Sequence, residues 1–254
     1  NRLLKSQQDL KNIIETKDKL LSVISHDLKN PFGTMIMLSE FLSENYHLID
    51  GDHRRKTVHS LSKSARQTYE LMENLANWSI SQSKSLNISP GNFDLSVTVE
   101  RTINLLQIEA NEKQIEVINE VPRDTIVYAD ENYIKIVIRN LVTNSIKFTL
   151  PGGKVKLTAK ENDGMIELSV CDTGIGLGQD DIKKLFRIDI DPSTIGDFHG
   201  KYSAYKSSKG TGLGLIMCKD FVEKNNGRIR AESNEGKGSC FIISLMKKND
   251  DKRN

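Results

Sequence analysis

The chain lacks a long apolar run: no stretch approaches the ~20 residues a membrane-crossing helix needs. It also lacks the charged, apolar and small-residue succession of a secretory signal peptide. Neither charge sign dominates. Its 36 Lys and Arg nearly balance 34 Asp and Glu, leaving a formal +2 that gives no support to a nucleic-acid partner. The basic tail, Lys247-Lys248 through Lys252-Arg253, reads as a solvated end. Cysteine is sparse. Cys171, Cys218 and Cys240 are spaced for neither a metal site nor a disulfide framework, and read as reduced, buried thiols of a reducing compartment. There is no internal repeat and no low-complexity segment. What is left is ordinary for a globular protein, 37% hydrophobic and 28% charged, with 254 residues giving room for two modest domains.

A helical pattern is already under way at Asn1, so the sequence reads as part of something longer. Leu3, Leu10, Ile13, Leu20 and Ile24 recur in steps of three, four or seven, beside a second row of Leu4, Ile14, Leu21 and Leu28. Two adjacent rows make a stripe of the width that a four-helix bundle buries. His26 lies two positions from both Ile24 and Leu28, a rotation of roughly 200° from each, so it faces water. Pro31 removes a helical hydrogen bond, yet Phe32, Met35, Ile36, Leu38, Phe41 and Leu42 resume the pattern, predicting a bend rather than a stop. After a turn at Asp50-Gly51-Asp52, a second helix places Val58, Leu61, Ala65, Thr68, Met72, Leu75 and Ser79 on one face. Such an antiparallel hairpin, over 1–83, leaves one apolar face bare, and a second copy would close it into a four-helix bundle.

A stretch rich in Ser, Asn, Pro and Gly follows, and 84–92 reads as a linker. From Phe93 to 248 the pattern mixes periods. Helices are predicted near 96–112, 131–147, 179–186 and 211–225, and strands near 115–120, 125–129, 153–161, 165–172, 227–233 and 239–246. Together they predict an α+β two-layer sandwich, ending in a charged tail at 249–254.

Three patches of this second region could carry chemistry. Asn140 and Asn144 are one helical turn apart, with Lys147 three residues on, offering amide oxygens for magnesium beside a cation for phosphate. Asp172-Thr173-Gly174-Ile175-Gly176 ends an apolar strand, where glycines admit a ligand to the backbone and a carboxylate can accept from an exocyclic amine. Gly210-Thr211-Gly212-Leu213-Gly214 opens a helix whose first amides favour an anion. The polar stretch before it, Asp189 to Lys209, reads as a lid over a ligand. Singly each patch has a bland reading: exposed asparagines, a hairpin turn, a Rossmann-like glycine triplet.

In order and separation, however, the motifs resemble the cytoplasmic core of bacterial two-component sensor histidine kinases. Ser25 to Pro31 is similar to their phosphoacceptor box, Asn140 to Phe148 to the N box, and Asp172 to Gly176 to the first glycine box. Leu185-Phe186 resembles the F box and Gly210 to Gly214 the second glycine box. The resemblance implies a helical-hairpin dimerisation domain that forms a four-helix bundle, with 1–19 as a signal-transmitting helix, then a GHKL-type α/β sandwich. It implies that His26 attacks the γ-phosphate of ATP while Asp27 holds its other ring nitrogen. Asn144 with Asn140 would hold Mg²⁺, Lys147 would contact phosphate, Phe148 would stack on adenine and Asp172 would read its amino group. Gly174 and Gly176 would allow close approach, while Gly210, Thr211, Gly212, Leu213 and Gly214 would line the phosphate and lid side. Asn30 would orient a hydrolytic water when the kinase dephosphorylates its regulator.

The implied partners are a second copy and the receiver domain of a response regulator. The implied place is the cytoplasmic side, with membrane contact only through parts absent from this chain. The lid, 188–208, carries His199, Tyr202 and Tyr205 in no matching pattern, and a phosphate role for Arg187 or Lys209 stays open. Two other readings remain: a conformational ATPase of the gyrase and heat-shock type, and a degenerate kinase serving as a dimeric scaffold. Against the first, those ATPases use a glutamate to activate water where this chain has Asn140.

Overall fold

The computed structural model describes residues 28–82, 88–187 and 213–248. It divides at Lys84/Ser85 into two compact units, described in turn.

In the first unit, helix α1 covers 28–45 and runs through Pro31 without a break, as its apolar pattern predicts. The two helices meet where Ser64 Oγ donates to the Pro31 carbonyl at 2.9 Å. Helix α2 spans Gly51–Gln82. Asp50 caps it: Oδ1 accepts the His53 N–H at 2.8 Å and Oδ2 lies 2.8 Å from His53 Nδ1. These contacts hold the Asp50 carboxyl below its usual value. Phe32, Ile36, Met37 and Phe41 of α1, with Val58, Tyr69 and Met72 of α2, remain exposed within one chain.

The second unit begins earlier than composition predicts, since Gly91 and Asn92 already belong to a strand. In order its elements are β1 (Gly91–Asp94), α3 (Leu95–Glu112), β2 (Glu116–Glu120), β3 (Ile126–Ala129), α4 (Glu131–Phe148), β4 (Lys154–Asn162) and β5 (Met165–Asp172). Then come α5 (Gln179–Ile182), α6 (Leu213–Lys224), β6 (Arg228–Asn234) and β7 (Gly238–Lys247). The sheet runs β1-β3-β7-β5-β4-β2, with β6 sharing the edge of β7 beside β3. All pairs are antiparallel except β2 with β4, which the chain reaches by crossing over through α4. The β4–β5 hairpin closes on Asp163-Gly164, whose φ of 49° and 74° suit the twist of a two-residue turn.

Alternation along the strands builds the core. Leu157, Val170 and Phe241 form one cross-strand row; Leu168 with Ile243, and Ile166 with Leu245, form the next. Against them pack Leu95 and Val99 of α3, Val137, Leu141 and Ile146 of α4, and Met217, Phe221 and Val222 of α6. On the opposite face of the sheet, Glu167 is buried beneath Arg230, which donates to it at 2.8 and 3.3 Å. That ion pair holds the Glu167 carboxyl below its usual value.

Two expectations need correcting. The helix predicted over 179–186 is a single turn, Gln179–Ile182, followed by turns; its acidic residues, Asp180 and Asp181, fall at the N-terminal end that favours them. Cys171 and Cys240, which their spacing predicts to be free thiols, are paired in a disulfide. They are register partners on β5 and β7 with Cα atoms 3.9 Å apart, a neighbourhood that a sequence separation of 69 hides from the sequence. Cys218 matches the expectation: it is free, buried and pushed up in pKa by burial. No helix among the described residues is long and apolar enough to cross a membrane.

Candidate nucleotide-binding site

Helix α4 supplies one wall. Its stripe of Ile134, Val137, Ile138, Leu141, Val142, Ser145 and Ile146 is buried, which leaves Asn140, Asn144, Lys147 and Phe148 half-buried along the opposite edge. Asp130 fixes the start of the helix, accepting from Asn132 N–H at 3.0 Å and from Ser89 N–H at 3.1 Å. Its own N–H donates to Asn225 Oδ1 at 2.6 Å, tying in the segment after α6. Lys113 fixes the end of α4. Its ammonium donates to the Ile146 carbonyl at 2.8 Å and to that of Lys147, a cation satisfying last-turn acceptors. Burial lowers the Lys113 pKa.

Asn140 Nδ2 donates to the Ile136 carbonyl at 3.2 Å, which turns Oδ1 outward. That oxygen faces the first turn of α6: a Cβ on Gly214 would approach it to 3.1 Å. A hard cation seeks this kind of oxygen. Among the described residues no group of three or more His, Cys, Asp or Glu could hold a metal ion. Lys147 Nζ sits 5.3 Å from the Phe148 ring centroid.

The other wall is the turn after β5. Asp172 Oδ1 accepts the Gly174 N–H at 2.8 Å and the Ser239 N–H at 3.2 Å. Burial raises the Asp172 pKa, against the opposing pull of Gly174, Ser239 and the Ser145 hydroxyl. The turn lies against the end of α4, with Ile175 N–H donating to the Phe148 carbonyl at 3.2 Å. A side chain at Gly174 would collide with that same carbonyl. Gly176, at φ 66°, has no room either: a Cβ would strike the Asn234 carbonyl.

The structure therefore brings Asn140, Phe148, Asp172, Gly174, Gly176 and Gly214 into one neighbourhood, with Asn144 and Lys147 on the same edge of α4. Asn30 is exposed on α1, in the other unit. His26, Asp27, Gly210, Thr211 and Gly212 lie outside the described residues, as do His199, Tyr202, Tyr205 and Lys209; Leu213 begins α6. Leu185 is buried, Phe186 is half-buried, and Arg187 is exposed.

Four residues of the site escape the sequence reading. Lys113 acts across 33 positions and leaves no local trace. Ser145 is a hydroxyl on an apolar stripe, one turn beyond Leu141, and that anomaly was readable. Gly238, at φ 93°, leaves no space for a Cβ against the Asp172 carbonyl, and Ser239 follows it with an N–H on the carboxylate. A second glycine after Gly236 in one hairpin is more than a tight turn demands.

Comparisons with known proteins agree with this architecture. Residues 16–83 match the His Kinase A (phospho-acceptor) domain, and residues 129–249 match the histidine kinase-, DNA gyrase B- and HSP90-like ATPase domain. Among curated relatives, the adaptive-response sensory kinase SasA of Crocosphaera subtropica is 29% identical over 250 residues, 96% of this chain and 63% of that protein. The histidine protein kinase DivJ of Caulobacter vibrioides is 25% identical, over 93% of this chain and 38% of its own length. The chain thus spans less than two thirds of either. Among solved structures, the catalytic domain of histidine kinase ThkA matches 63% of this chain and 97% of its own, at 27% identity and a TM-score of 0.51. ThkA in complex with the response regulator TrrA aligns with all of this chain and 69% of its own at TM-score 0.70 and 21% identity, a likeness of fold.

Proposed function

The chain belongs to the sensor histidine kinases of two-component systems, and from that membership we propose that it phosphorylates its own His26 from ATP and passes the group to an aspartate of a response regulator. The observation that carries the reading is the junction of α4 with the turn after β5, where a half-buried carboxylate, two glycines without room for a Cβ and an edge of amides and a lysine converge. These residues fit a magnesium nucleotide. Asp172 takes the adenine amino group, Phe148 offers its ring to the base, and Gly174 and Gly176 let the backbone approach it. Asn140 and Asn144 offer oxygens to Mg²⁺, which when bound neutralises triphosphate charge, while Lys147 meets phosphate. The backbone amides of Gly210, Thr211, Gly212, Leu213 and Gly214 would line the phosphate side.

His26 is the nucleophile: its ring nitrogen forms the new bond to the γ-phosphorus as ADP leaves. Asp27 holds the other ring nitrogen, fixing the tautomer. Transfer to a regulator aspartate breaks that N–P bond. Asn30, exposed on α1 and four residues after His26 in sequence, would orient water for the reverse duty of dephosphorylating the regulator. The exposed apolar residues of α1 and α2 suit a second copy of the hairpin, which closes a four-helix bundle and makes the working unit a homodimer. SasA and DivJ carry kinase names, and ThkA is solved with a regulator, which supports the partner assigned here. By this reading the protein works on the cytoplasmic side as the catalytic part of a longer sensor.

The test is incubation with γ-labelled ATP and Mg²⁺, comparing the parent with His26→Gln and Asn144→Ala. Acid-labile, base-stable protein label that both variants lose is expected. ATP consumption without protein label, persisting in His26→Gln, would replace this reading with a conformational ATPase. No nucleotide binding at all would leave a scaffold.

A further inference from the structure

Strands β5 and β7 pair from Met165 against Met246 to Cys171 against Cys240, and the disulfide sits on the last rung of that ladder. The rungs before it already hold the two strands side by side, so their pairing does not depend on a cross-link. Immediately past the last rung lies the candidate nucleotide site. Asp172 is the next residue of β5 and Ser239 the neighbouring residue of β7, and the Ser239 N–H donates to Asp172 Oδ1 at 3.2 Å. Gly238, one residue further on, packs against the Asp172 carbonyl with no room for a Cβ. The cross-link therefore fixes the spacing of the strands where that carboxylate meets its backbone donor.

The alternation that turns Leu168, Val170, Phe241 and Ile243 into the helix-covered core turns Cys171 and Cys240 to the other face of the sheet, where both are partly exposed. A small thiol can reach them there. Cys218 differs: it is fully buried, its sulfur 3.9 Å from the Val137 carbonyl. Disulfides are rare in reducing compartments, and those that occur are mostly transient catalytic or sensing bonds. We propose that Cys171–Cys240 is a redox modification site: a dithiol reductant opens it, a low-molecular-weight disulfide closes it, and the closed state gives the tighter nucleotide site. In opening, one thiolate of the dithiol bonds to a cysteine sulfur. The Cys171–Cys240 bond breaks, and its electron pair leaves on the other sulfur, which takes a proton. The second thiolate then closes the reagent's own disulfide and releases the first cysteine as a thiol, so two electrons and two protons have passed to the protein. Closing runs the other way and leaves the low-molecular-weight disulfide as two thiols. The inference rests on the reading of this site as an ATP site on the cytoplasmic side, and adds a control to it.

The experiment treats the folded full chain with glutathione disulfide or with dithiothreitol, removes the reagent, and counts alkylated cysteines by mass after denaturation. One is expected in the first sample, Cys218, and all three in the second. Calorimetric titration of the same samples with Mg²⁺–ADP should show the reduced protein binding about threefold to tenfold more weakly, the worth of one hydrogen bond loosened at the carboxylate. Glutathione disulfide should restore the tighter binding. The double variant Cys171→Ser, Cys240→Ser should bind as the reduced parent does and respond to neither reagent. Three free thiols after glutathione disulfide, or a bond that dithiothreitol opens only in denaturant, would overturn the proposal. So would equal ADP affinity in the two states, or a response that persists in the double variant. Protein that binds no ADP in either state would overturn the reading of the site itself, a result the alkylation count keeps distinct from a failure of the exchange.

Discussion

The two units of the chain solve the problem of burial differently. In the sandwich, Leu95, Ile138, Leu141, Phe221, Ile243 and Leu245 are fully enclosed by the chain's own layers. In the hairpin, Ile36 and Met37 are 57% and 60% exposed, and among the described residues the buried ones are the hydroxyl-bearing Ser64 and Thr68. One unit carries its own core, while the other presents half of one. A unit that encloses its own core holds its shape by itself; a hairpin with an exposed apolar face completes its core against another surface. The difference predicts that damage in each unit is felt in a different observable.

The largest effect is expected at the hairpin surface. Charging Met37 to Asp places a carboxylate in the bundle twice, once per copy. Each buried apolar side chain of this size is worth about 1.5–3 kcal/mol, so the pair amounts to roughly 3–6 kcal/mol of association, or about a hundredfold or more in dimer Kd. Sedimentation equilibrium should show monomers, while ADP affinity stays at the parent value. A variant that remains dimeric would place the second copy elsewhere and break the comparison.

Next comes the sandwich's own tightest point. Gly238→Val forces a side chain into positive φ and against the Asp172 carbonyl. Backbone strain and overpacking each cost about 1–3 kcal/mol, so the sandwich should lose roughly 2–6 kcal/mol in denaturant unfolding, and nucleotide affinity with it. Dimerisation should survive wherever the sandwich still folds. A smaller loss is expected from Lys113→Met, which strips the end of α4 of a charged donor: about 1.5–3 kcal/mol by the same measurement.

How much of this could be read beforehand follows the same division. The hairpin was legible because helical period is a local signal, and even the passage through Pro31 follows from the apolar residues after it. The strands of the sandwich were legible as alternation, but not their neighbours: the β2–β4 parallel pair and the Cys171–Cys240 partnership depend on register set far away. Of the site, Asp172 and the glycines announced themselves by composition. Lys113, Gly238 and Ser239 did not, because each serves a group it meets only in the folded chain. Ser145 lies between these cases, a polar residue on an apolar stripe whose meaning needs the carboxylate opposite it.

The smallest predicted effect separates stability from function inside one side chain. Burial raises the Asp172 pKa above the ordinary 3.8, so the folded protein holds this proton more tightly than the unfolded chain does. Below that ordinary value both states are protonated and the residue is neutral in the balance. As pH climbs through the ordinary value and then the raised one, the unfolded chain ionises first and folding loses stability. At pH 7 the nucleotide-free protein therefore carries a penalty that Asp172→Asn removes, since an amide oxygen can still accept from Gly174 and Ser239. That relief is opposed by whatever the new amide hydrogens lose, so a small gain in stability is expected at pH 7. The gain should vanish on acidification below the ordinary carboxylate value. The same variant should bind ADP far more weakly, because its Nδ2 hydrogens would confront the adenine amino group. Thermal melts across pH, paired with ADP titrations, test both halves. Destabilisation at pH 7 would mean that the carboxylate holds the turn together rather than waiting for a base.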